Sequence, residues 1–331
     1  MSKYYDYNNI NLIPKKSIVS SRSECDTSII FGKYSFKIPI IPANMECVIN
    51  EKLAEKLAKD GYFYIMHRFN IDIIEFIKNM KISNLFTSIS IGVNEDSYQL
   101  LQKLKALSLI PDYITIDIAH GHSIKMEEMI KYIKNDSAFK DTFIIAGNVS
   151  TIEATSDLIM WGANAIKVGI GPGSACTTYP CTGFGSRGIQ ASIVKECASF
   201  IKDNNLKCDI IADGGISEIC DITKSIVLGA TMVMIGGMLS GFNESPGKII
   251  IGTDGKMYQQ YYGSASTFSY GIDGKTKNKH IEGTSKLVPF KNQSIFNFLN
   301  HIQQCLQSSI SYGGGIDLKS LMSVEFILKR I

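Results

Sequence analysis

Arginine is scarce in this chain. Of its 34 basic residues only Arg22, Arg68, Arg187 and Arg330 carry a guanidinium. Thirty-one acidic residues nearly balance the basic ones, leaving a formal charge of +3 with no basic cluster, which argues against a nucleic-acid partner. Long apolar runs are also missing. No stretch reaches the roughly 18 consecutive apolar residues of a membrane helix, so no membrane partner is expected. The first residues, MSKYYDYNNINLIPKKS, lack the apolar core of a secretory signal. Eight cysteines are present but no CxxC pair, so they read as reduced thiols and the expected location is the cytoplasm. At 45% hydrophobic and 20% charged, the composition is that of a folded chain rather than a disordered one.

What is present is alternation. Apolar, β-rich runs occupy 37–44, 62–67, 86–92, 113–119, 142–148, 165–170, 208–215 and 231–237. Between them lie segments of helical periodicity, such as 49–60, 71–80, 96–107 and 216–229. Near-continuous apolar strands alternating with amphipathic helices predict a parallel sheet covered on both faces. Eight such units in 331 residues predict a single-domain α/β fold, a (β/α)8 TIM barrel. Asn44, His67, Asp117, Asn148 and Asp213 stand at strand ends, on the face where such a barrel builds its active site. Residues 238–295 break the rhythm with a Gly-, Ser- and Lys-rich insertion before the last helix, 295–309. One hairpin is predicted there at TDGK, and the segment reads as a mobile lid over the catalytic face.

Two glycine pairs, Gly214–Gly215 and Gly236–Gly237, follow the seventh and eighth runs, where barrels commonly bind phosphate through backbone N–H groups. The helix expected from about Ile216 adds its positive end. Asp213 is placed to accept from ribose hydroxyls, which would make the ligand a nucleotide. The stretch KVGIGPGSACTTYPCTGFG (167–185) then places a thiol, Cys176, in a polar glycine-rich loop on the same face. Ser174, Thr177 and Thr178 surround it with hydroxyls, a setting for a nucleophile rather than an inert core thiol. Cys197, Cys208, Cys220 and Cys305 fall in helices or strands and read as structural. Cys181, without a neighbouring histidine, reads as incidental, and His120 with His122 lack a third metal ligand nearby.

The loop GIGPGSACTT resembles that of the IMP dehydrogenase/GMP reductase family, and the resemblance extends through SRSECD, PANM, MHR, TIDIAHGHS, IAGNVST, IADGGI, ATMVMIGGM, YYGSAS and SSISYGGG. The pattern is that of the bacterial reductases. It implies a (β/α)8 barrel, usually a homotetramer, that converts GMP and NADPH to IMP, ammonia and NADP⁺. It implies Cys176 as the nucleophile forming a covalent purine thioimidate, with Glu282 and Thr178 handling the proton of the leaving amine. By the same motifs Ser174, Asp213, Gly214, Gly215, Gly236, Gly237, Gly263, Ser264, Lys279 and Gly283 fall on the nucleotide side. Ser21, Arg22, Arg68, Asp117, Ile118, Ala119, Ser308, Ser309 and Ser311 fall on the NADPH side, the last three in the tetramer from a neighbouring subunit. Carbonyls of Gly171, Gly173 and Cys176 match a K⁺ site, although Tyr179 stands where some relatives carry a basic residue.

The dehydrogenase branch activates water with an Arg-Tyr pair on a flap, and this chain has no arginine between Arg187 and Arg330. Lysine does not reproduce the guanidinium's geometry or proton affinity. The paired regulatory (CBS) module typical of dehydrogenases also has no room between 71–80 and 113–119. Three other readings stay open: a dehydrogenase without that module, a flavin-dependent barrel, and a purine-nucleotide sensor that has lost catalysis.

Overall fold

The computed structural model describes residues 4–263 and 283–329. Seven parallel strands form the central sheet: β1 (Ile40–Pro42), β2 (Ser88–Ile91), β3 (Tyr113–Asp117), β4 (Phe143–Val149), β5 (Ala165–Val168), β6 (Asp209–Asp213) and β7 (Met232–Ile235). Their spatial order is β1-β7-β6-β5-β4-β3-β2. The two outer strands therefore flank the remaining expected run, 62–67. That run joins β2 through a parallel bridge at Met66 and Ile89, with bonds from Met66 N–H to Ser88 and from Ser90 N–H to Met66. At its start Gly61 accepts from Lys37 N–H, just before β1. The chain thus forms the expected (β/α)8 barrel, with its eighth stave joined to β2 by a single bridge and held near β1 by one hydrogen bond rather than by full ladders.

The strand sequences explain the closure. Every residue of β2, β5 and β7 is buried, because one face points into the barrel and the other meets helices. The helices carry matching apolar stripes. In Glu51–Lys59, Leu53, Ala54 and Leu57 are buried while the lysines and glutamates face outward, and Asn50 caps the start by accepting from Leu53 N–H at 2.9 Å. Helix Ile152–Trp161 is capped by Thr151 and stops at Gly162, whose φ of 117° suits glycine. Among the described residues no helix is long and apolar enough to cross a membrane.

An aromatic plug closes one end of the barrel. The hairpin of strands Ile29–Phe31 and Tyr34–Phe36 inserts Phe31 against Phe63, Tyr113 and Phe143, residues at the starts of their strands. Phe86 joins the same cluster, and the Tyr113 hydroxyl donates to the Phe31 carbonyl at 2.5 Å. Aromatic edges and faces pack there in edge-on and tilted contacts. The opposite end, at the C-terminal ends of the strands, is the open one.

Between β7 and the long helix Ile295–Tyr312, which a short helix Leu318–Leu321 follows, the chain builds its own antiparallel sheet. Strands β8 (Ile249–Ile251) and β9 (Met257–Tyr262) make the expected hairpin around TDGK, and β10 (Ser285–Pro289) adds to β9. Sequence reasoning missed this third strand. Residues 264–282, which include the expected Ser264, Lys279 and Glu282, lie outside the described residues.

Candidate active site

The C-terminal ends of β1, β3, β4, β5 and β6 surround a cavity of about 240 Å³. Four of the five polar strand-end residues, Asn44, Asp117, Asn148 and Asp213, line it. His67 does not. It is buried at 6% exposure, and its Nδ1 accepts from Phe69 N–H at 3.3 Å. Burial lowers its pKa to about 4, which keeps the ring neutral.

Cys176 lines the same cavity, half-buried, and its thiol lies 3.2 Å from the Thr178 hydroxyl. The loop reaches this position through glycines. Gly171 has φ +80°, and the Cys176 N–H donates to the Gly173 carbonyl at 3.0 Å. After the thiol the chain turns into a short helix, Thr178–Thr182, where a loop was expected. From the other side Gly283 pairs with Cys176 in an antiparallel bridge, and Thr284 N–H donates to the Ala175 carbonyl at 3.0 Å. Gly263 packs into the same corner, where a Cβ would stand 3.0 Å from that carbonyl.

The two glycine pairs meet the loop in different places. A Cβ on Gly214 would fall 2.9 Å from Pro172 and 3.0 Å from the Gly173 nitrogen. One on Gly236 would fall 2.7 Å from the Tyr261 hydroxyl, and one on Gly237 would fall 3.6 Å from Ser174 Oγ. Ser174, Gly236, Gly237 and Tyr261 therefore form one cluster of hydroxyls and backbone, with Gly214 and Gly215 beside it. Burial, helped by Cys47, pushes Tyr261 up to about 12, so the phenol stays a hydrogen-bond donor. The expected helix near Ile216 begins only at Ile219. The Asp221 carboxylate takes the N–H groups of Ser217 and Glu218 at 3.1 and 3.0 Å, so these amides are engaged by the protein itself.

Arg68, Asp117, Ile118 and Ala119 line the cavity from the other side, the Arg68 guanidinium lying over the Phe69 ring at 4.8 Å. Burial alone would raise the Asp117 carboxyl, but Lys167, Asn44 and Arg68 hold it below the ordinary carboxylate range. The remaining residues expected on the cofactor side do not line the cavity. Ser21 caps the short turn Arg22–Glu24, and Arg22 donates to Ser308 Oγ at 3.1 Å. Ser309 bonds Thr223 Oγ1, and Ser311 bonds Ser17 Oγ.

His122 pairs with Asp157 at 2.8 Å, and Cys181 is exposed. Cys197 is buried, as expected of a structural thiol, but Cys220 is exposed, because its turn of helix faces solvent. Sequence reasoning passed over Lys167 and Tyr261, both cavity residues. The only local signal for Lys167 is a lysine inside the apolar run AIKVGI.

Residues 4–330 match the family described as "IMP dehydrogenase / GMP reductase domain". Among similar proteins are one named GMP reductase from Albidiferax ferrireducens, 50% identical over 323 residues, covering 98% of this chain and 95% of that protein. Another of that name, from Mycoplasma mycoides subsp. mycoides SC, is 48% identical over 327 residues, covering 98% of each. A third, from Staphylococcus aureus, is 50% identical over 329 residues, covering 99% of this chain and 97% of that one.

Proposed function

Because the chain belongs to the IMP dehydrogenase/GMP reductase family, we propose that it is a GMP reductase, an oxidoreductase that uses NADPH to convert GMP to IMP with release of ammonia. The observation that carries this reading is the thiol of Cys176 in the cavity wall, 3.2 Å from the Thr178 hydroxyl and with Gly283 paired against it.

The cavity's two sides suit two ligands. Asp213 and Gly214, with the nearby cluster of Ser174, Gly215, Gly236, Gly237 and Tyr261, offer a carboxylate, hydroxyls and close-approaching backbone for a ribose phosphate. Gly263 and Gly283 flank the thiol on the base side, with Ser264 and Lys279 assigned to the same side by motif. Arg68, Asp117, Ile118 and Ala119 offer the guanidinium, carboxylate and backbone that the phosphates and hydroxyls of a nicotinamide nucleotide require. NADPH, when bound there, supplies the hydride.

In the reaction the Cys176 thiolate adds to C2 of the guanine, and the 2-amino group leaves as ammonia, giving a thioimidate. An amine leaves only once protonated, so an acid must act on it. Glu282 has that role through the Thr178 hydroxyl, which can accept and donate. Its chain neighbour Gly283 pairs with Cys176, which supports the assignment. Once C2 is reduced, the C–S bond breaks, the thiolate returns and IMP is released. The segment 238–295 serves as the lid over this chemistry. A potassium ion held by the carbonyls of Gly171, Gly173 and Cys176 would brace the loop. The enzyme is read as a cytoplasmic homotetramer.

The test is NADPH consumption with GMP, followed by absorbance and matched to released ammonia, beside a parallel assay with NAD⁺ and IMP. Consumption in the first alone is expected, and Cys176→Ala should abolish it while GMP binding survives. Turnover only in the second assay would assign the chain to the dehydrogenase branch. Full activity in Cys176→Ala would remove the covalent mechanism.

A further inference from the structure

Lys167 lies in the middle of the barrel mouth with its side chain only 3% exposed. Its ammonium is 2.6 Å from Asp117 Oδ1 and 3.2 Å from Asp213 Oδ2. The other oxygen of Asp117 accepts from Asn44 Nδ2 at 2.9 Å, and Asp213 Oδ2 accepts from Asn148 Nδ2 at 2.7 Å. A chain Asn44–Asp117–Lys167–Asp213–Asn148 therefore crosses the cavity from β1 to β6. The lysine stem is tightly seated. At Gly147, on the neighbouring strand, a Cβ would stand 2.6 Å from the Lys167 Cβ and 2.8 Å from its carbonyl oxygen.

Burying one ammonium is costly unless it is paired, and here two carboxylates share it. Those carboxylates serve different ligands on the reductase reading, on which this step rests: Asp213 faces the nucleotide ribose and Asp117 the cofactor. We infer that Lys167 is a positioning residue for both ligand sites at once, fixing the two ribose-facing carboxylates at a set spacing from a single charge. Without it, two like charges would share one enclosed space, and each would be displaced or neutralised at the expense of its ligand. Removing one of the two carboxylates would then relieve the other.

This predicts a reciprocal pattern that a purely structural lysine would not give. In calorimetric titrations of the full-length protein with GMP alone and NADPH alone, Lys167→Met should weaken both ligands about tenfold or more. Lys167→Arg should keep most of both affinities. Adding Asp117→Asn to Lys167→Met should restore GMP binding but not NADPH binding, and adding Asp213→Asn should restore NADPH binding but not GMP binding. Should Lys167→Met alone fail to fold, the two double variants and Lys167→Arg carry the same comparison. A folded Lys167→Met that binds both ligands as the parent does would overturn the inference, as would double variants showing no crossed recovery. A parent protein that binds neither GMP nor NADPH sinks the reductase reading, and this inference with it.

Discussion

The thiol of Cys47 is enclosed at the base of β9, donating to the Tyr262 carbonyl at 3.1 Å and accepting from Tyr262 N–H at 3.3 Å. Burial pushes it up to about 12, so it remains a thiol and acts as a latch between the 43–49 loop and the added sheet. Cys176, 3.2 Å from a hydroxyl and open to the cavity, has no such enclosure. Residue type alone does not separate the two settings, but the polar glycine-rich sequence around Cys176 does. His67 shows the same logic in reverse. A histidine at a strand end reads as a site residue, yet enclosure lowers it from 6.5 to about 4. Between those values the unfolded chain binds a proton that the folded one does not, so stability present above pH 6.5 is lost as pH falls toward 4. The loss attributable to this residue should be on the order of 3 kcal/mol. Urea unfolding of His67→Gln across that window should therefore show a shallower pH slope than the parent. Parallel slopes would mean that the ring is protonated without cost where it lies.

At the scale of elements, the ends of β5 and β6 are locked together behind the Cys176 loop. Gln190 Nε2 donates to the Val168 carbonyl at 2.8 Å and to that of Asp213 at 3.3 Å, while its Oε1 accepts from Ser186 Oγ at 2.5 Å. Gly169, with φ +144°, fits under this clamp, and a Cβ there would stand 1.9 Å from the Asp213 carbonyl oxygen. Gly183 also has a positive φ, +77°, but a Cβ there would meet nothing within 4 Å. Gly183→Ala should thus lose only about 1 kcal/mol from backbone strain, whereas Gly169→Ala should lose on the order of 3 kcal/mol and displace Asp213. Equal unfolding midpoints in the two variants would show that the clamp yields. Much of this architecture is legible in the sequence, because its signals are local. Apolar runs, helical stripes such as 49–60, and the TDGK turn all stand where the structure has the corresponding elements. The plug hairpin 29–36, the third strand of the added sheet and the Lys167 bridge were not legible. Each depends on partners far along the chain: Phe31 on Phe143, Lys167 on Asp117. The shift of a helix start from Ile216 to Ile219 has a nearer cause, the Asp221 carboxylate binding the amides before it, but a helical pattern does not reveal which way a carboxylate turns.

On the scale of the whole molecule, aromatics pack at one end of the barrel and the cavity lies at the other, which separates the two groups of residues expected on the cofactor side. The helix Ile295–Tyr312 runs from the insertion toward the strand starts, where Gln303 Nε2 donates to Thr27 Oγ1 and that hydroxyl donates to the Lys37 carbonyl just before β1. At 1.5 Å per residue, Ser308 lies roughly 20 Å from the start of that helix. Arg22 is bonded to Ser308 there, away from the cavity that Arg68 and Asp117 line. If both groups hold one NADPH, as the family resemblance implies, the Arg22 group must reach a cavity belonging to another copy of the chain, which a closed homotetramer allows. The consequence is testable without a structure of the assembly. Arg22→Ala and Cys176→Ala should each be nearly inactive at low NADPH, the first for want of a phosphate contact and the second for want of a nucleophile. Coexpressed in equal amounts, they should form mixed tetramers in which an intact Cys176 meets an intact Arg22 from its neighbour. Random assembly puts the nucleophile in half of the sites and the arginine beside half of those, so activity should recover to about a quarter of the parent's. A mixture as inactive as its components would mean that Arg22 acts on its own subunit's cavity or not on the cofactor at all.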